Sequence, residues 1–205
     1  MKNIWYALAL VITASSFPPC RAQEFSPQQS NARLHSSGFS TIAAACAPDV
    51  PLVTLRAIAR AESAFHPYAL SLDHPRRTAI EHGLTGGGIF LARQPRNLAE
   101  ARAWTHWLLQ RGRSVSIGLM QISTQHAAEL GLTADQLFDP CNKIRAGAQI
   151  LKAKYQHSAA LHGEGQVALQ EALSLYNSGS SAVGFENGYV SNVVDGEVYP
   201  RRPRK

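Results

Sequence analysis

Apolar residues recur at intervals of three and four along several stretches of the chain, which is the spacing that places side chains on one face of an α-helix. The first stretch, VPLVTLRAIARAESAFH, follows Asp49 as the expected N-cap and ends before Pro67. The second, NLAEARAWTHWLLQ, begins with Asn97 and Glu100 at capping-box spacing. Because strand patterns are few, the sequence predicts a mainly α-helical domain.

Two further helices are predicted in the C-terminal half. The stretch DPCNKIRAGAQILKAKY has Asp139 at the N-cap and Pro140 at the first helical position. The stretch QVALQEALSLYNSG ends near Gly179, as a C-terminal glycine predicts. Between Pro67 and Ser116 the chain is rich in turn residues, so we expect a long irregular excursion that carries the second helix.

The N-terminus has the pattern of a secretory signal peptide. Lys2 precedes an apolar run over residues 4–12, which is too short to span a bilayer comfortably. This segment would direct the protein to the periplasm, and cleavage after Ala22 would then remove residues 1–22. A lipoprotein acylated at Cys20 is the alternative, and the prolines just before that cysteine weaken it.

Composition suits one globular domain, since 45% of the residues are hydrophobic and 17% are charged. We predict a polar linker over residues 23–40, the domain over residues 41–195 and a basic tail over residues 196–205. The formal charge of +6, much of it in that tail, favours an anionic partner such as a cell-wall polymer or a membrane surface. A basic run of this kind is most often only a solvated tail.

Signal removal would leave Cys46 and Cys141 as the remaining cysteines. An oxidising compartment favours joining them in a disulfide, and two free buried thiols are the alternative. The eight histidines form no HExxH pair, and no cysteine-rich ligand spacing is present, so we expect neither a metal nor another cofactor.

Glu62 lies on the apolar stripe of the first helix, together with Leu55, Ile58 and Phe65. Desolvation of a carboxyl group raises its pKa, which suits a general acid of the kind that protonates the leaving oxygen in glycoside cleavage. In the alternative, the carboxyl head reaches solvent near the helix end while its stem packs on the protein.

The octet SIGLMQIS places the amide of Gln121 in an apolar run. In the simplest interpretation Gly118 bends the backbone, the apolar residues Leu119, Met120 and Ile122 point inward, and Gln121 lies on the surface. In the other, Gln121 faces a ligand.

The motifs AESAFHP, GLMQI and LYNSG, in that order and on segments that we expect to be helical, resemble those of the soluble lytic transglycosylases of the lysozyme-like superfamily. The resemblance runs from about Cys46 to about Val194. The stretch SLYNSGSSAVGFENGYVSNV is similar to the transglycosylase component of type IV secretion and conjugation systems. The resemblance implies an α+β lysozyme-like fold, a single compact helical domain with a small irregular or β element and a glycan-binding cleft.

The resemblance also implies the site residues. Glu62 would be the catalytic acid and base, and Gln121 would line the glycan groove with Met120 packed beneath it. The substrate-binding set that it implies is Ser63, Met120, Gln121, Tyr176, Asn177 and Tyr189, with Tyr189 facing Glu62. The alternative for each tyrosine is core packing with its hydroxyl group bonded.

A second carboxylate is not evident, because Asp73 follows the Glu62 helix without a matching motif. In the family resembled, the substrate completes the reaction and a 1,6-anhydro end forms without water. The implied function is cleavage of the MurNAc–GlcNAc linkage of peptidoglycan glycan strands, beside a secretion or conjugation machine. We expect no nucleic-acid partner and no transmembrane span after signal removal. A hydrolytic muramidase and a non-catalytic peptidoglycan-binding assembly factor are the alternatives.

Overall fold

The computed structural model describes residues 36–73, 89–91 and 93–196. Its helices are α1 (Ser36–Cys46), α2 (Leu52–Ser63), α3 (Leu98–Leu109), α4 (Thr124–Glu129), α5 (Pro140–His162), α6 (Gln166–Ser178), α7 (Val183–Glu186) and α8 (Tyr189–Asp195). Its strands are β1 (Leu70–Leu72), β2 (Ile89–Phe90), β3 (Val115–Ile117) and β4 (Ile122–Ser123), and Gln136–Phe138 forms a 3₁₀ turn. The predicted mainly α-helical domain with a small β element is confirmed. The predicted signal peptide, and the tail after Gly196, lie outside the described residues.

The long helix α5 packs against α6 and α1 at the centre of the fold. It begins as predicted, since the Asp139 side chain accepts a hydrogen bond from the backbone N–H of Asn142 at 2.8 Å, and Pro140 is the first helical residue. Ile144 and Leu151 are buried on its inner stripe. Helix α6 ends at Ser178, and Gly179 after it adopts the left-handed conformation expected of a C-terminal glycine.

The predicted capping of α2 by Asp49 is wrong. The helix begins at Leu52 with Pro51 in the N-cap position and without a side-chain cap, because Asp49 lies two residues too early to reach the free N–H groups. The Asp49 carboxylate instead pairs with Lys152 at 3.2 Å. The helix ends at Ser63, where two residues of positive φ turn the chain away.

Helix α1 begins inside the segment that we predicted to be linker. Residues 36–40 are helical, and Phe39 is fully buried with its ring edge-on to Phe65 at a centroid distance of 5.4 Å. Phe39 and Ala43, four residues apart, share one face and enter the core, so this part of the linker prediction is corrected.

Four short antiparallel strands form a sheet in the order β2-β1-β3-β4. Its inner face is apolar and buried, with Leu70, Val115, Ile117 and Ile122. Ser71, Ser116 and Ser123 lie opposite one another in the register and therefore share the other, polar face, on which Ser71 is buried and the other two serines are half-buried.

The GLMQ motif forms the turn between β3 and β4, so our expectation of a helical segment there is wrong. Gly118 and Gln121 have φ values of 72° and 47°, which a helix does not accommodate. The alternation of serine and β-branched residues from Ser114 to Ile117 has the period of two of a strand, and its shortness hid it.

The predicted disulfide between Cys46 and Cys141 is present, and the two Cα atoms are 5.4 Å apart. It ties the end of α1 to the first turn of α5. Within the described ranges, no helix combines the length and the apolar character that crossing a membrane requires.

Candidate active site around Glu62

Glu62 lies in the last turn of α2, and its side chain is half-buried. Its Oε1 accepts a hydrogen bond of 2.7 Å from the hydroxyl of Tyr189, the first residue of α8. Tyr189 is 9% exposed. The carboxyl group and the tyrosine that the resemblance placed beside it are therefore in direct contact.

Two phenol groups surround this carboxylate. Burial raises the pKa of Tyr189 well above its ordinary value, and the negative charge of Glu62, the electrostatic interaction with the Tyr176 hydroxyl and the hydrogen bond to Glu62 raise it further. Burial also raises the pKa of Tyr176, followed by the charge of Glu62. Both phenols therefore remain protonated near neutral pH, and Tyr189 remains a hydrogen-bond donor to Glu62.

The backbone of the GLMQ turn is clamped from two sides. Ser63 Oγ donates to the carbonyl oxygen of Leu119 at 3.0 Å, and the Tyr176 hydroxyl donates to the carbonyl oxygen of Met120 at 2.9 Å. The residue after Glu62 and the tyrosine of LYNSG thus hold the same turn. The three motifs, far apart in sequence, meet at this point.

Gln121 is half-buried rather than on the surface. Its Nε2 donates to the carbonyl oxygens of Gly118 and Ala69 at 3.0 and 3.2 Å, and its Oε1 accepts from Ser71 Oγ at 2.8 Å. The simplest interpretation was therefore right about the turn and wrong about the amide, which joins the turn to β1. Contact of Gln121 with a glycan stays a prediction.

Met120 is fully buried, and its side chain lies against α5 at Gly147, where an added Cβ atom would come within 2.9 Å of Met120 Cε. It packs beneath the turn, as expected. Its position in the predicted substrate-binding set is therefore one of support, since its side chain is not accessible to a ligand in this structure.

Asn177 connects to the site through Asn187, which the sequence analysis missed. Asn187 Nδ2 donates to Asn177 Oδ1 at 2.9 Å, and Asn187 Oδ1 accepts from the backbone N–H of Tyr189 at 2.9 Å. The two amides thereby fix the start of α8 and the tyrosine that contacts Glu62. The dipeptide Asn187–Gly188 directly before Tyr189 is a turn signal that was available in the sequence.

Asp73 is a carboxylate whose hydrogen-bond partners we did not predict from the sequence. Its Oδ1 accepts from Ser116 Oγ at 2.6 Å, and its Oδ2 accepts from Ser114 Oγ at 2.5 Å and Ser123 Oγ at 2.6 Å. These serines come from β3, from β4 and from the residue before β3. Asp73 therefore joins the polar face of the sheet.

The chemistry of this arrangement is proton transfer and hydrogen bonding. The described residues contain no group of three or more His, Cys, Asp or Glu side chains placed to hold a metal ion. A carboxyl group such as that of Glu62 can release and accept a proton, whereas Tyr176, Tyr189 and the nearby amides are neutral hydrogen-bonding groups.

Comparison with known proteins agrees with this geometry. The family model described as Transglycosylase SLT domain matches residues 39–197. The chain is 35% identical over 160 residues to protein virB1 of Rhizobium radiobacter, covering 78% of this chain and 61% of that protein. It is 32% identical over 186 residues to protein virB1 of Agrobacterium fabrum strain C58, covering 91% and 66%.

A third relative is the type IV secretion system protein virB1 of Brucella abortus strain 2308, 34% identical over 162 residues that cover 76% of this chain and 62% of that protein. The chain thus spans less than two thirds of the length of these relatives. No solved structure matches it significantly. With most of its length matched by one family model and its three motifs joined around Glu62, the chain belongs to the transglycosylase SLT domain family.

Proposed function

We propose that this protein is a peptidoglycan lytic transglycosylase that cleaves the MurNAc–GlcNAc β-1,4 linkage with Glu62 as its acid and base. The observation that carries the proposal is the contact of Tyr189 with Glu62 beside the clamped GLMQ turn. Membership of the family supports the same reaction class.

The reaction needs one proton-transferring group. Glu62 donates its proton to the glycosidic oxygen, the bond from that oxygen to C1 of MurNAc breaks, and GlcNAc leaves with a free 4-hydroxyl group. The MurNAc 6-hydroxyl attacks C1, directly or after participation of the N-acetyl group. Glu62 then accepts the hydroxyl proton, so a 1,6-anhydro end forms and no water is consumed.

Tyr189 would keep the Glu62 carboxyl oriented during both proton transfers. A neutral phenol can donate to the carboxylate without competing for its proton, since burial raises the pKa of Tyr189 well above its ordinary value. Tyr176 would act through the backbone of the turn, because its hydroxyl binds the carbonyl oxygen of Met120.

Ser63, Gln121 and Asn177 are the polar members of the proposed substrate-binding set. Each of these side chains forms a hydrogen bond within the protein. These bonds support a groove whose hydrogen-bonding groups are oriented before substrate binds. Sugar hydroxyl and N-acetyl groups would bind there through remaining donor and acceptor capacity or by exchange of these bonds.

We further propose that the protein acts in the periplasm and opens the wall locally for a type IV secretion or conjugation apparatus. The name of the Brucella relative, type IV secretion system protein virB1, supports this setting. Export would depend on the signal peptide expected over residues 1–22.

Mass spectrometry of the products released from purified peptidoglycan tests the proposal, with the Glu62→Gln variant as control. Soluble products carrying 1,6-anhydro ends, absent with E62Q, would support it. Hydrated reducing ends would indicate a muramidase. Binding of sacculi with no products from either protein would indicate an assembly factor.

A further inference from the structure

Lys143 is a charged residue in the core that the proposed reaction does not use. It lies in the first turn of α5, and its side chain has 0% exposure. Its Nζ donates a hydrogen bond to the carbonyl oxygen of Pro67 at 2.7 Å. Among the described residues it is the one Asp, Glu, Lys or Arg in the buried set. Such burial is costly for an ammonium group, so a purely space-filling role would favour an apolar residue.

The Lys143 side chain passes directly beneath Gly118, the first residue of the GLMQ turn. A Cβ atom at Gly118 would lie 2.5 Å from Lys143 Nζ and 2.8 Å from its Cδ, so the contact requires a glycine. The Phe138 ring closes the other side, with its centroid 6.0 Å from Nζ. Lys143 therefore contacts both the turn and the loop that follows α2.

The charged group that acts on Lys143 is Asp139, the N-cap of its own helix. Burial lowers the pKa of Lys143 to about 7, and the charge of Asp139 opposes that shift. The loop packed against it presents the Pro67 carbonyl, and the titratable His66 beside Pro67 accepts the backbone N–H of Tyr68. Because ammonium and neutral amine both carry N–H donors, the bond to Pro67 is available in either form.

The two segments that Lys143 joins are the ones that flank Glu62. Pro67 is five residues beyond Glu62, on the loop that leaves α2. The GLMQ turn, which begins at Gly118, accepts the hydrogen bond from Ser63 next to Glu62. A shift of either segment would move the carboxyl group relative to the turn.

We infer that Lys143 is a positioning residue of the active site, which ties the Pro67 loop to the Gly118 turn and so sets the place of Glu62. This inference rests on the proposed function. A displacement of about 1 Å at a reacting group can cost up to about 100-fold in rate.

The test compares the wild type with K143M, which keeps the length and apolar stem and loses the donor. Cleavage of solubilised glycan strands gives kcat and KM, and calorimetry gives the melting temperature. We expect kcat to fall about tenfold with little change in KM, and the melting temperature to hold or rise because a buried cation is gone. The matched control is K152M, an exposed lysine on the same helix.

The variant K143Q separates positioning from simple loss of folding, because its amide restores a donor. Recovery of kcat in K143Q relative to K143M supports the role, including where both melt below the wild type. A kcat for K143M equal to that of K152M, or equal losses in K143M and K143Q, would overturn the inference. Full activity in E62Q would instead overturn the proposed function.

Discussion

Tyr189 donates its hydroxyl hydrogen to Oε1 of Glu62 at 2.7 Å, across 127 positions of sequence. The contact joins the last turn of α2 to the first residue of α8. Asn187 Oδ1 supports this contact by accepting a hydrogen bond from the backbone N–H of Tyr189. The carboxyl group therefore has an orienting partner that is itself fixed in place.

Replacement of Tyr189 by phenylalanine removes this orienting bond and keeps the ring. We expect Y189F to lower kcat about tenfold and the free energy of unfolding by about 2 kcal/mol, since hydrogen bonds to charged groups are of that size. Product release from sacculi and urea unfolding measure the two effects. The control is Y155F, whose hydroxyl accepts the backbone N–H of Gly165 instead. A Y189F rate equal to that of Y155F would contradict the orienting role.

The buried amine of Lys143 makes stability depend on pH. Because its pKa falls from 10.5 to about 7 on folding, the unfolded chain binds more protons than the folded one between these values. The cost of burying the charge is therefore full below pH 7 and is relieved as the pH rises from about 7 to about 10.5. The difference between the pKa values of 10.5 and about 7 sets an upper limit of about 5 kcal/mol on the burial cost that is relieved.

Urea unfolding of the wild type and K143M between pH 6 and about 10.5 measures this relief. We expect the stability of the wild type to rise relative to K143M across the upper part of that range. Parallel curves for the two proteins would show that Lys143 keeps its ordinary titration in the fold.

Asp73 gives a test of the single-acid mechanism. Its loss in D73A leaves the hydroxyls of Ser114, Ser116 and Ser123 without their shared acceptor, so we expect the free energy of unfolding to fall by about 2–3 kcal/mol. Folded D73A should still release products with 1,6-anhydro ends. Loss of all cleavage in folded D73A would identify a second catalytic carboxylate.

A side chain at Gly118 is expected to destabilise the fold by more than backbone strain alone. It has a φ of 72°, and an added Cβ would lie 2.5 Å from Lys143 Nζ. The matched control is Gly131, which has a φ of 71° and no atom within 4 Å of an added Cβ. Both alanine variants carry the same backbone strain of about 1 kcal/mol. Unfolding by urea should show a larger loss for G118A, and equal losses would contradict the close contact with Lys143.

Local signals were sufficient wherever a residue and its partner are close in sequence. Asp139 and Asn97 cap their helices as predicted, since each accepts a backbone N–H three residues ahead. The prediction that Asp49 caps α2 failed for an equally local reason. Pro51 occupies the N-cap position, which is where a capping aspartate would have to lie. Hairpin geometry was missed because two or three residues of alternation are too few to separate a strand from a turn.

The sequence by itself predicted the helical class, the starts of α3 and α5, the end of α6 and a disulfide between the two cysteines, and its motifs predicted Glu62 as the catalytic acid. Only the tertiary structure decided that Gln121 joins its turn to β1, that three serines share Asp73 and that Lys143 lies beneath Gly118. Each of these contacts joins segments remote in sequence. Gln121, the serines, Asp73 and Lys143 are polar residues, so the local sequence pattern predicts that they lie at the surface. Their burial follows only from the packing of the helices and the sheet around them.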